Sequence, residues 1–106
     1  MAVFTQGQQL GPNDLAIRLY DMFGNPFDPY RIYYEFYGND HTRGQWRVGK
    51  SERIPTQTES GMYFVSEKLT TAFIPGGYFI QWVMQRDETS PLEIVKRQEF
   101  AFLGVG

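Results

Sequence analysis

Gly77-Tyr78-Phe79-Ile80-Gln81-Trp82-Val83-Met84-Gln85-Arg86 decides the fold class of this chain. A glycine opens the run, and Tyr78, Ile80, Trp82 and Met84 then fall on alternate positions. Side chains of an extended strand point to opposite faces with period two, so these four share one face. Tyr, Ile and Trp also suit a pleated, half-buried surface. A slip of one residue would turn all four outward, so the register is strongly specified. The stretch predicts a central strand of an all-β protein.

Working outward, Leu15, Ile17 and Leu19 alternate with Ala16, Arg18 and Tyr20, which predicts a strand over residues 14–23. Gly24-Asn25-Pro26 signals a turn and Pro29 a second break. Ile32, Tyr34 and Phe36 then read as inward, with Arg31, Tyr33 and Glu35 outward. Residues 38–44 read as a polar hairpin loop, 45–48 as a short strand with Trp46 and Val48 in phase, and 49–60 as an exposed connection. Another strand is predicted over 61–67. Asp87-Glu88-Thr89-Ser90-Pro91 turns the chain, and residues 92–103 return beside the Trp82 strand. The phase changes between Ile94/Lys96 and Phe100/Phe102, which predicts a bulge near 96–99.

Six to seven short strands between turn signals, with no helical period, predict an antiparallel Ig-like β-sandwich. The rival architecture is a small closed barrel. The cysteine pair of antibody domains is absent, so "Ig-like" holds only in the broad sense. The predicted core is Leu15, Ile17, Leu19, Ile32, Tyr34, Phe36, Tyr78, Ile80, Trp82 and Phe100. Residues 1–12, polar and rich in Gly and Gln, read as an extended N-terminal arm, and 13–106 as the sandwich domain. Phe4 and Leu10 are the arm's candidate anchors on a neighbouring subunit; a frayed terminus is the plainer reading.

A length of 106 residues suits one domain. Hydrophobic residues make up 42% and aromatics 17%, enough to fill a core. The lack of cysteine leans towards a reducing compartment. Met1-Ala2-Val3-Phe4-Thr5-Gln6 has no basic region and no long apolar run, so no signal peptide is expected. No run approaches a membrane span. Ten basic and twelve acidic residues alternate without blocks of either sign. Nucleic-acid affinity rests on Lys and Arg contacts to phosphate, so direct nucleic-acid binding is not expected as the main role.

No catalytic constellation emerges. His41, the only histidine, sits between Asp40 and Thr42 in a predicted loop, with no partner to orient it. One His and no Cys leave zinc without its preferred ligands. Asn39 with Asp40, or Asp87 with Glu88, lack EF-hand spacing. Ser51, Ser60, Ser66 and Ser90 lie in no Gly-x-Ser-x-Gly setting. Glu35 with Glu67 or Glu99 would make a glycosidase pair only if a cleft joined them. The expectation is a non-enzymatic protein with no catalytic, cofactor-binding or metal-ligating residues.

The aromatics exceed what one thin core needs. Tyr33, Tyr37 and Phe79 come out opposite the predicted core; exposed aromatic patches mark recognition surfaces, and cover of the outer sheet by the chain's own loops is the competing reading. Together with Phe4 and Leu10 these three are the candidate protein-contact residues. A carbohydrate-binding module, with Trp46, Tyr33 and Tyr37 as stacking platforms, is the alternative from another class. A bacterial adaptor domain is a third.

The signals from Leu15 to Phe102 resemble those of small Ig-like structural proteins of tailed bacteriophages. The resembling pieces are Gly24-Asn25-Pro26-Phe27-Asp28-Pro29 followed by Ile32-x-Tyr34-x-Phe36, then Gly61-x-Tyr63-x-Val65. Ile74-Pro75-x-Gly77-x-Phe79-Ile80-x-Trp82 and Gln98-Glu99-Phe100-x-Phe102 complete the pattern. The resemblance implies a multi-copy virion component, at the neck or collar of the head–tail junction or decorating the capsid. It implies assembly in the bacterial host cytoplasm, self-association, and portal, connector, capsid or tail proteins as partners; from the residues themselves no cofactor, no membrane and no direct nucleic acid as the main role are expected.

Overall fold

The computed structural model describes residues 2–40, 44–69 and 73–104. They form eight strands: β1 (Ala2–Thr5), β2 (Ala16–Arg18), β3 (Arg31–Asp40), β4 (Gly44–Arg53), β5 (Thr56–Glu59), β6 (Met62–Phe64), β7 (Gly76–Gln85) and β8 (Leu92–Leu103). The chain is all-β. A five-stranded sheet, ordered β1-β8-β7-β3-β4, packs against a three-stranded sheet ordered β2-β6-β5. The architecture is a β-sandwich.

The stretch that opened the reading is β7, and it sits at the centre of the large sheet. Trp82 lies opposite Tyr34 and Ile80 opposite Phe36 on one side; Tyr78 lies opposite Phe100 on the other. Period-two alternation brings these side chains to one face, where Phe36, Ile80, Trp82 and Phe100 are fully enclosed. Tyr78 stacks on Phe100 at 5.7 Å and 17°, and the other rings of this face meet edge-on or tilted. Phe36 stands 5.9 Å from Phe100 at 80°, and Tyr34 stands 5.4 Å from Trp82 at 52°. Aromatic pairs favour such angles over a flat sandwich. All ten predicted core residues pack into this cluster, Ile32 among them as a half-buried member.

Three short strands cannot roof five. The small sheet contributes Ile17 and Tyr63, which face each other in register. Connecting segments complete the cover with Leu10, Val65, Leu69 and Phe73, all buried.

Several expectations need correction. The segment read as an N-terminal arm is part of the sandwich. β1 pairs with β8 in parallel, Ala2 opposite Phe100 and Phe4 opposite Phe102, so the sheet is not purely antiparallel. The chain then crosses to the opposite layer, where Leu10 N–H donates to Glu67 O at 2.9 Å and Leu69 N–H to Gln8 O at 2.9 Å. Phe4 and Leu10 are 3% and 1% exposed, and they fill this chain's own core rather than reaching a neighbour. The physical reason is the shortage of roof: without them, one end of the large sheet would be bare.

The first strand is shorter than read; β2 covers three residues, because the chain turns into a tight hairpin after Leu19. The expected short strand at 45–48 extends to Arg53, and part of the expected exposed connection is strand β5. The bulge of β8 falls one residue earlier than predicted. Lys96 opposes Trp82 and Ile94 opposes Val83, which leaves Val95 as the extra residue. The predicted loop at 38–44 begins as strand through Asp40, and its centre, including His41, lies outside the described residues.

Candidate functional site

Two surfaces carry the candidate residues. The first is the outer face of the large sheet. Tyr33, Glu35 and Tyr37 on β3 alternate outward, next to Phe79, Gln81 and Val83 on β7. The face is as predicted, but the rings are covered. Tyr33, Phe79 and Val83 are buried and Tyr37 is half-buried. The Arg31 guanidinium lies 5.1 Å over the Tyr33 ring and Arg97 5.5 Å over Phe79. Tyr37 stacks on Phe79 at 5.3 Å and 16°. Arg31 is held by Glu52 at 2.7 Å, and Arg97 Nε donates to Gln81 Oε1 at 3.0 Å.

Long cationic side chains thus lay their stems over an apolar floor and keep their charge in water. What this face presents is guanidinium and carboxylate, not bare aromatic rings. That corrects the reading of Tyr33, Tyr37 and Phe79 as exposed contacts. Glu35 is buried beneath them, where it accepts Tyr37 O–H at 3.0 Å and Glu52 N–H at 3.2 Å. Burial, and then the nearby Glu35 carboxylate, raises the Tyr33 and Tyr37 hydroxyl pKa values.

Pairs considered from the sequence fall apart in space. Glu67 binds Arg53 at 2.7 Å and accepts the hydroxyl of Tyr34 at 2.5 Å. Tyr34 faces the core and Glu35 the opposite side, so Glu35 and Glu67 do not share a face. Glu99 stands across Phe79, two strands from Glu35, and lines a shallow depression with Asn39, Gly77, Tyr78 and Phe100 that Glu35 does not share. Trp46 lies on the core face opposite Gly38, packed edge-on against Tyr78 at 6.4 Å. It therefore shares no platform with Tyr33 and Tyr37, and the three do not form a sugar-stacking surface. Asp87 accepts the backbone and hydroxyl of Thr89, each at 3.0 Å, as a turn residue does. Among the described residues, no three His, Cys, Asp or Glu side chains converge.

The second surface was not singled out by periodicity. Between β2 and β3 the chain makes a narrow hairpin whose tip is Met22-Phe23, 88% and 81% exposed. Tyr20 in the hairpin's neck and Tyr30 at its foot, where Tyr30 N–H donates to Arg86 O, are also exposed. The tip is held rigidly from below. Asp21 Oδ1 accepts the N–H groups of Phe23 and Asn25, each at 2.9 Å, and Gly24 N–H donates to Asp21 O at 3.0 Å. Asp21 N–H donates back to Asn25 O at 2.9 Å, and Tyr20 bridges Pro26. A short carboxylate that bonds its own following amides is a standard turn former.

The hairpin's base is fixed as firmly. Asp28 accepts Gln57 Nε2 at 2.7 Å, Gly61 N–H at 2.8 Å, Tyr63 O–H at 2.9 Å and Ser60 Oγ at 3.0 Å. The Gly61 amide, followed by the Tyr63 hydroxyl, holds the Asp28 carboxyl below its ordinary value. Burial, and then the bond to Asp28, pushes Tyr63 up to about 12. Gly61 itself is buried at φ 76°, and a Cβ there would stand 2.6 Å from Leu19 O. Only glycine lets the hairpin base approach this closely.

The sequence signal for the tip was Asp21-Met22-Phe23-Gly24, two large apolar residues inside a turn former's reach. The alternation of Leu15, Ile17 and Leu19 runs directly into this turn, so the strand pattern masks it. Comparison with protein-family models, with curated proteins and with solved structures finds nothing that matches this chain.

Proposed function

We propose that this protein is a non-enzymatic structural component of a tailed-bacteriophage virion, present in many copies at the head–tail junction or on the capsid, and acting through protein–protein contacts. One observation carries the mode of action: the Met22-Phe23 tip exposes two large apolar side chains on a base fixed at Asp21, Asp28 and Gly61. Exposed apolar clusters of this kind mark interaction sites. Holding them rigidly before contact reduces the ordering cost of binding. The setting rests on the sequence pattern from Leu15 to Phe102, which resembles small Ig-like virion proteins.

The outer face of the large sheet fits a secondary role. Its mixed Arg and Glu surface suits register and partner selection more than affinity. Mass spectrometry of purified particles tests the proposal. The protein is expected at a stoichiometry of several copies per particle. Its absence from purified particles would overturn the reading.

A further inference from the structure

We infer that copies of this chain associate head to tail, the Met22-Phe23 tip of one copy seating in the slot between β2 and β8 of the next. The inference deepens the assembly reading above and rests on it.

The slot has a structural origin. β1 covers the edge of β8 only from Phe100 to Leu103, and β2 is the edge of the small sheet. Between these two uncovered edges runs a groove of about 400 Å³ lined by Ala16, Ile17, Arg18, Leu19, Val95 and Lys96. Its walls are apolar side chains and strand edge. Two cations flank it, and neither Arg18 nor Lys96 forms an ion pair among the described residues. Val95, the extra residue of the bulge, interrupts the edge. Such bulges discourage indiscriminate strand addition.

The tip complements this slot in chemistry and in sign. The tip, residues 20–26, carries Asp21 and no Lys, Arg or His. An apolar, acidic projection meets an apolar, basic groove, an arrangement that steers encounter and fixes orientation. One aromatic side chain of this size buries about 150–250 Å². The tip cannot enter its own slot. Its base is pinned through Asp28 to Gly61 on the β6 side of β2, whereas the slot opens on the opposite edge. Since tip and slot are different surfaces, a bound pair leaves one tip and one slot free. Contacts of this heterologous kind build rings when the rotation closes and filaments when it does not.

Sedimentation velocity of the whole chain, from about 1 μM to about 1 mM, covers the affinity range of so small a contact. Wild type is expected to grow past the dimer as concentration rises, and to do so less at high salt. Phe23→Asp at the tip, and Arg18→Glu with Lys96→Glu at the slot, are each expected to weaken growth by roughly 30-fold, as for a lost hot spot. These positions are exposed, and unchanged melting curves would verify that the variants fold. The decisive mixture combines the two defective proteins. One retains a slot and the other a tip, so 1:1 dimers and nothing larger are expected. A wild type that stays monomeric or stops at the dimer would overturn the inference, as would either variant growing like wild type. Particle composition is a separate readout: a chain found in particles but monomeric in solution contradicts this contact and leaves the assembly reading standing.

Discussion

Trp82 is fully enclosed, and its indole N–H donates to Gln98 Oε1 at 3.0 Å, so both its ring and its one polar atom are accounted for. Truncating it empties the centre of the core and leaves the Gln98 acceptor without its donor. Trp82→Ala is expected to cost about 3–5 kcal/mol in denaturant unfolding; a loss below about 1 kcal/mol would place the ring in a collapsible or peripheral site. Gly38 is a different kind of constraint. A Cβ there would stand 2.2 Å from the Trp46 ring, which lies directly over the glycine and against Tyr78. Gly38→Ala must therefore lift that ring, with an expected loss of about 1–3 kcal/mol and a red shift of Trp46 fluorescence. Unchanged emission would show that the ring does not rest there. Asp28 and Tyr63 give the hairpin base its pH dependence. Because the carboxyl is held below its ordinary 3.8, its contribution is present above that value and fades as pH falls below it. Because the hydroxyl is pushed up to about 12 from 10, its contribution is whole below 10 and lost as pH rises towards 12. Wild type is thus expected to lose more stability between pH 10 and 12 than Tyr63→Phe does; parallel losses would contradict the Asp28–Tyr63 bond.

At the scale of elements, legibility in the sequence followed burial. β3, β7 and the C-terminal half of β8 announce themselves because alternate side chains enter one core, Tyr34 and Phe36 against Trp82 and Ile80. β5 does not, since all four of its residues are exposed and only backbone pairing with β6 makes it a strand. β4 was half visible for the same reason: Val48 is buried, whereas the residues after it are largely exposed at the sheet's edge. The N-terminal segment is the instructive case. Phe4 and Leu10 are isolated apolar points in a Gly- and Gln-rich run, a pattern that local periodicity reads as unstructured. Their burial comes from residues far along the chain: Phe4 lies opposite Phe102 and 5.4 Å from the Phe100 ring, and Leu10 N–H donates to Glu67 O. Removing residues before Gly11 is therefore expected to destabilise the fold, since each buried side chain lost is worth about 2–5 kcal/mol. Thermal melting checks this. A truncated chain that melts like the full one would return the segment to the role of a dispensable arm.

The molecule as a whole is elongated, 47 × 26 × 22 Å, with a radius of gyration of 14.5 Å against about 13 Å for a compact chain of this length. Its interior is closed by rings from both layers, and its most exposed large apolar side chains among the described residues are Met22, Phe23 and Ile54. The outer sheet hides Tyr33 and Phe79 beneath arginines, whereas the hairpin leaves Met22 and Phe23 bare. A side chain that is 88% or 81% exposed contributes little to the fold, and changes at such positions usually stay within about 0.5 kcal/mol. Met22→Ser with Phe23→Ser should separate folding from docking. Under the proposed function, the most direct measurement is the amount of this variant that enters phage particles relative to wild type, at matched expression and matched melting temperature. Incorporation is expected to fall at least about tenfold, a loss of roughly 1.4 kcal/mol or more. Incorporation equal to wild type would contradict the claim that this tip is what the sandwich exists to present.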